Sequence, residues 1–200
     1  TSFPALLQGG IERLAEFYDV VPQGSERVAG REAQVLLVQP RDAQRFGYRL
    51  WSDKASGLLL RSDVLGERGE VIETSAFSEV TIGVKPQFDS VTGPMRKLEG
   101  YRVIRPAMSS TSLEAEGWGM RQGVAGFREV NCVKRPMESP TSNAQEASAD
   151  PVLQTIFSDG LTYVSVFIEP FNPQRHQRSM RTAVGATQTL MRRQGDWWIT

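Results

Sequence analysis

Histidine and cysteine are almost missing from this chain: His176 and Cys132 are the only ones among its 200 residues. A lone cysteine excludes an internal disulfide and leaves the redox compartment open. Cys132 shares a strand face with Val130 and Lys134 and has no basic partner positioned to lower its pKa, so it reads as a partly buried, inert thiol. His176 lies in a polar run, Asn172 to Arg178, with no carboxylate or cysteine at ligand spacing, and reads as a solvated loop imidazole. Net charge is missing too. With 23 basic and 23 acidic residues there is no overall field to draw in nucleic acid or an anionic membrane. No run approaches the ~18 apolar residues of a membrane-spanning helix, and the first ten residues lack the basic start and cleavage site of a secretory signal. The chain opens on Thr1 and stops at Thr200 just after a strand-like segment, so it reads as a piece of a longer precursor, and the missing signal does not bear on export.

Catalytic motifs are equally scarce. There is no Gly-x-Ser-x-Gly elbow, and the glycines between Gly117 and Gly126 neither follow a strand nor lead a helix, as a phosphate-binding loop requires. Asp53, Asp63, Glu67 and Glu70 gather around turns at a spacing that fits no calcium loop, and read as solvated turn carboxylates. The inventory predicts no enzyme, no catalytic residue, no metal and no cofactor.

What the chain does have is alternation. From Tyr48 to Phe77 three antiparallel strands are expected, turning at Ser52 to Gly57 and at Gly66 to Gly69, with the third running from Val71 to Ile82 and bent near Phe77. Before them, apolar residues from Phe3 to Tyr18 follow helical spacing, weakened by Gly9 and Gly10, and Val35 to Val38 predicts a short strand. Residues 85–105 carry Pro86, Gly93, Pro94 and Gly100 and fit neither period, which predicts a linker. Beyond it come a strand from Phe127 to Lys134 and a polar loop from Met137 to Pro151. A hairpin follows whose two-residue Asp159-Gly160 turn joins Leu153–Phe157 to Thr162–Ile168, then a further pair, Thr187 to Met191 and Trp197 to Thr200.

Charge is segregated in this second half. Residues 136–170 hold five acids and no Lys or Arg, and 171–195 hold five arginines and no acid. Nineteen of the 23 basic residues are arginine, whose fork makes bidentate, partly desolvated pairs with carboxylate or phosphate. Arg175, Arg178, Arg181, Arg192 and Arg193, with Met180, are therefore the candidate partner surface. Phe46, Tyr48, Leu50, Leu58 and Leu60 are candidates to line an apolar concavity that could receive lipid, ordinary core packing being the competing role at each.

Trp51-Ser52-Asp53, the run Gly57 to Arg61, Asp63-Val64-Leu65, Gly69 to Glu73 and Phe77 together resemble the sheet of lipoprotein-carrier (LolA/LolB-like) folds, and most nearly the MucB/RseB family of sigma-factor regulators. Gly126-Phe127, Lys134-Arg135-Pro136, Tyr163 after Ser158 to Leu161, Arg181-Thr182 and Gly185 resemble that family's C-terminal domain. The resemblance implies an α+β architecture truncated at both ends. An incomplete LolA-like antiparallel half-barrel with a helix would occupy residues 1–85, a linker 86–105, and a small, mainly antiparallel C-terminal domain 106–200. It further implies a periplasmic negative regulator of an envelope-stress, sigma-E-type sigma factor. Such a regulator binds the periplasmic part of an RseA/MucA-type transmembrane anti-sigma factor and shields it from site-1 proteolysis until a lipid or lipopolysaccharide signal releases it. A homo-oligomer is compatible with this reading, and a nucleic-acid partner is not expected. The alternative is a LolA/LolB-like carrier of lipoprotein or lipid with no regulatory role.

Overall fold

The computed structural model describes residues 11–85, 87–101, 108–136 and 151–200. Within them α1 spans Ile11–Phe17 and leads directly into β1, Tyr18–Val28. Then come β2 (Arg31–Pro40), β3 (Gly47–Asp53), β4 (Leu59–Leu65) and β5 (Val71–Ala76), which pair in sequence order as an open five-stranded antiparallel sheet. The three-strand meander expected from Tyr48 onward is there. Two expectations change. The short strand at Val35 is a ten-residue strand, and it pairs with β1, eleven residues long and nearly all exposed. Strand β1 escapes a period-2 reading because it is an edge: one flank and both faces meet solvent along most of its length, so Pro22, Gln23 and Gly24 are tolerated. The third strand of the meander ends at Ala76, not at Ile82, and Phe77 and Val80 fold back beneath the sheet.

Strands β3 and β4 are covered on both faces, which is why their burial is nearly continuous. On one face Val38, Tyr48, Leu50 and Leu59 pack with Leu14 of α1 and with Tyr18. On the other Ala33, Val35, Trp51 and Leu60 pack with Val28, Leu58, Phe77 and Val80. A register shift at Trp51/Ser52 leaves Leu60 as the extra residue of β4 and sends it to the second cluster.

The segment expected to be an unstructured linker contains α2, Phe88–Arg96. Asp89 sits in its first turn and Arg96 in its last, where each charge suits the helix dipole and offsets part of the cost of Gly93 and Pro94. The second sheet is built from β6 (Ser109–Ser110), β7 (Arg128–Arg135), β8 (Val152–Ser158), β9 (Tyr163–Pro170), β10 (Met180–Val184), β11 (Thr187–Gln194) and β12 (Trp197–Ile199), in the order β10-β11-β12-β9-β8-β7-β6. Its core joins Cys132, Leu153 and Ile168 to Leu113 and Trp118 from the loop between β6 and β7. Ser158 pairs with Tyr163, so the hairpin turn holds four residues, 159–162, and not the two expected. Most of the polar loop expected at 137–151 and the start of the first helix, residues 1–10, lie outside the described residues.

Candidate functional site

The four-residue turn between β8 and β9 is where the two sheets meet. Asp159 Oδ1 accepts the backbone N–H groups of Leu161 (3.0 Å) and Thr162 (2.8 Å), the local carboxylate-to-backbone bonding that Asp favours in turns. That leaves Oδ2 pointing at the first sheet, where it accepts the Tyr18 hydroxyl and the Arg45 Nε–H, each at 2.9 Å. Both the Arg45 and the Asp159 side chains are 0% exposed. Arg45 also donates to Asp42 and to the Ala125 carbonyl, and its guanidinium lies 4.5 Å from the Phe17 ring centroid and 5.3 Å from that of Phe127. Leu161, 2% exposed, inserts into the Tyr48–Leu50 cluster, a burial that stabilises the junction by about 2 kcal/mol. The Tyr48 and Thr162 hydroxyls lie 3.0 Å apart.

Burial pushes both phenols up, Tyr48 to about 12 and Tyr18 well beyond the ordinary tyrosine range, so both keep their protons at neutral pH. Gly126 makes room beside them. Its φ is +85°, and a Cβ there would stand 2.5 Å from the Phe17 ring that covers Arg45. A second contact joins the sheets at the β10–β11 turn, where Glu73 of β5 accepts the Ala186 N–H at 3.2 Å.

The chemistry of this junction is adhesion. Cys132 is 4% exposed, with its thiol pushed up by burial. His176 is not the solvated imidazole expected: it is 8% exposed, stacks on Trp198 at 4.7 Å and 4°, accepts the Asn172 N–H on Nδ1, and lies 3.4 Å from Glu169. The turn Asn172–His176 folds it back over β12, a contact that spacing along the chain did not reveal. Asp53 and Asp63 likewise are not solvated turn carboxylates. They are 3% and 1% exposed and paired with Arg31 and Arg61, and the Arg31 fork with the Ser56 hydroxyl holds Asp53 well below the usual carboxylate range. Among the described residues no group of three or more His, Cys, Asp or Glu is arranged to hold a metal, and no helix is long and apolar enough to cross a membrane.

The arginines expected to form one surface are all exposed but divide between the two sides of the second sheet. Arg181 stands opposite Leu190, and Arg192 opposite Ile199, on one face. Met180 and Arg193 lie on the other, where Arg193 sits 4.0 Å over the Phe171 ring and Arg175 reaches Glu169 at 3.4 Å. Arg178 lies in the loop entering β10, whose outer flank carries no paired strand among the described residues.

Residues 1–95 match the family model of the MucB/RseB N-terminal domain, and residues 112–200 that of the MucB/RseB C-terminal domain. The chain belongs to the MucB/RseB family. Curated MucB/RseB relatives include the sigma factor AlgU regulatory protein MucB of Pseudomonas aeruginosa, 34% identical over 160 residues covering 80% of this chain and 46% of the relative. Another is the sigma-E factor regulatory protein RseB of Escherichia coli K12, 28% identical over 193 residues covering 96% and 57%. The chain thus spans about half the length of the curated relatives it matches. Solved structures of MucB share the fold. The crystal structure of MucB in complex with MucA(peri) matches with a TM-score of 0.65 at 29% identity, covering 96% of this chain and 64% of that one. The Pseudomonas aeruginosa MucA/MucB complex matches at 0.66 and 28%, covering 97% and 62%.

Within this MucB/RseB chain the five residues expected to line an apolar concavity are split by the sheet. Phe46, Tyr48 and Leu50 pack on the face that receives Leu161, and Leu58 and Leu60 on the opposite face. Tyr48, Leu50 and Leu60 are 4%, 5% and 0% exposed, filled by protein on either side. The junction residues Tyr18, Arg45 and Asp159 were not found in the sequence. They lie 114 and 141 positions apart, and the only local signal was the Asp-Gly turn itself.

Proposed function

We propose that this chain is the binding part of a periplasmic regulator that holds the periplasmic segment of an anti-sigma factor and hides it from the first cleavage. The observation that carries this reading is the pairing of a rigid junction with an open edge. Buried Asp159 and Arg45 tie the two sheets together, and beyond them β10 presents an edge that no strand pairs among the described residues, flanked by Arg178, Arg181 and Arg192. Unpaired strand edges add an extended peptide through backbone hydrogen bonds, and guanidinium forks select acidic side chains. The names of the MucB and RseB relatives and the MucB–MucA(peri) complex support the same partner class. Residues 1–85 and 106–200 would act as the two modules, and a lipid or lipopolysaccharide would release the segment by favouring another arrangement of them.

A carrier of lipoprotein is the second reading, and one observation weighs against it: the apolar face around Tyr48 and Leu50 is occupied by Leu161. The test is a titration of the chain with a peptide spanning the periplasmic part of an anti-sigma factor. The double variant Arg178→Glu with Arg181→Glu should weaken binding about tenfold or more at low salt, with a smaller loss at high salt. An affinity unchanged at low salt removes this surface. A chain that binds acyl lipid and ignores the peptide is a carrier.

A further inference from the structure

A depression of about 720 Å³ opens on the first sheet, on the face away from Leu161, and nothing in the regulator reading uses it. The β2–β3 connection, 41–46, and the β4–β5 turn, 66–70, rise as its walls, and Leu37 and Leu65 supply apolar floor. In the middle of that floor, on the central strand β3, is Arg49, between Leu37 of β2 and Asp63 of β4 in the strand register.

Arg49 is anomalous. Its Nε is buried and has no hydrogen-bond partner, and none of the ion pairs among the described residues includes it. The carboxylate opposite, Asp63, is taken by Arg61 at 2.8 Å and by the Thr74 hydroxyl at 2.9 Å. On the strands flanking β3, by contrast, Arg31 of β2 pairs with Asp53 and Arg61 of β4 with Asp63. A buried guanidinium nitrogen left unmet costs on the order of 1–3 kcal/mol, and the rest of the fork, on a half-buried residue with no ion pair among the described residues, is what an anion at the floor would meet.

The charges on the walls decide which anion. Arg41 is bound to Asp19, and Arg45 to Asp42, so these two pairs neutralise each other locally. With Asp63 held by Arg61, the one carboxylate of the lining left without an ion pair to set against Arg49 is Glu67, and the lining as a whole is neutral. A phosphate monoester, carrying about −1.5 to −2 at neutral pH, would leave charge uncompensated there. A carboxylate carries one charge and two coplanar oxygens that match a single guanidinium fork. We infer that the depression is a binding site for an amphiphilic carboxylate, its head group on Arg49 and its apolar chain on Leu37 and Leu65.

Octanoate is the probe, titrated into the chain at low ionic strength, with affinity read by calorimetry and position by the methyl resonances of Leu37 and Leu65. Octanoate should saturate in the millimolar range or tighter, and octanol and octyl phosphate should bind at least about fivefold more weakly, which separates carboxylate recognition from greasiness and from general anion attraction. Arg49→Gln should weaken octanoate about tenfold, with Arg49→Lys between the two. Glu67→Gln should tighten it roughly threefold, a gain that no folding defect can imitate. No saturation at millimolar octanoate, equal binding of octanol or octyl phosphate, or an unchanged affinity in both Arg49→Gln and Glu67→Gln overturns the site.

Discussion

Replacing Asp159 by alanine removes the acceptor on which four hydrogen bonds converge, two from its own turn and two from the other sheet. Arg45 is left with no solvent to turn to, since its side chain is 0% exposed. Breaking a buried pair by deleting one partner costs about 3–5 kcal/mol. Arg45 keeps Asp42 and the Ala125 carbonyl, which places Asp159→Ala at the lower end, about 3 kcal/mol. Asp159→Asn preserves Oδ1 for the turn amides but aims an NH2 at two donors, for a loss of about 2 kcal/mol. In urea, with m near 2 kcal/mol per M, the alanine variant should unfold about 1.5 M earlier. Trp51 reports on the first sheet and Trp118, Trp197 and Trp198 on the second, so a Trp51→Phe background follows the second sheet alone. Once the node is gone, the first and second sheets should no longer melt together. A double-mutant cycle with Arg45→Met should return a coupling above about 1 kcal/mol. A loss under about 0.5 kcal/mol for Asp159→Ala, or a coupling near zero, refutes the idea that this pair joins the sheets.

Stability should also fall at alkaline pH. Tyr48, with its phenol raised to about 12 in the folded chain, stays protonated while the unfolded chain begins to ionise near 10, so its contribution is complete below 10 and is lost as pH rises toward 12; Tyr18 acts in the same direction. Phenolate absorbance measured against unfolding checks this, and ionisation of both tyrosines near 10 without unfolding contradicts it. At the acid end Asp53, held low by Arg31 and Ser56, contributes above the ordinary carboxylate range and loses that contribution as pH falls through its folded value. Arg31→Met should flatten this acid limb in a pH series of urea midpoints. Gly126→Ala should cost about 2 kcal/mol or more, because alanine meets both a positive φ and the Phe17 ring, and Gly126→Ala combined with Phe17→Leu should recover part of the loss in thermal melts.

Strands β3, β4, β8 and β9 were legible because each is a short run rich in apolar and β-branched residues bounded by its own turn residues. Strands β1 and β10 were not, and for one reason. Both are sheet edges whose side chains are exposed on both faces, so burial imposes no pattern on them. Helix α2 was hidden by Gly93 and Pro94, which propensity alone would place in a loop. At the junction the sequence showed an Asp-Gly turn and not what the aspartate touches. A carboxylate that bonds residues 114 and 141 positions away leaves no mark on local spacing. The same holds for His176, whose stacking on Trp198 is set by a turn and a strand far apart in the chain.

The central claim, that this chain works by covering a partner and not by transforming one, is tested most directly by proteolysis of that partner. A site-1-type protease should cleave an isolated periplasmic anti-sigma segment at one rate and, with the chain added at saturation, at a rate lower by an order of magnitude. Arg178→Glu with Arg181→Glu should restore the faster cleavage. An undiminished rate in the presence of saturating chain contradicts the account.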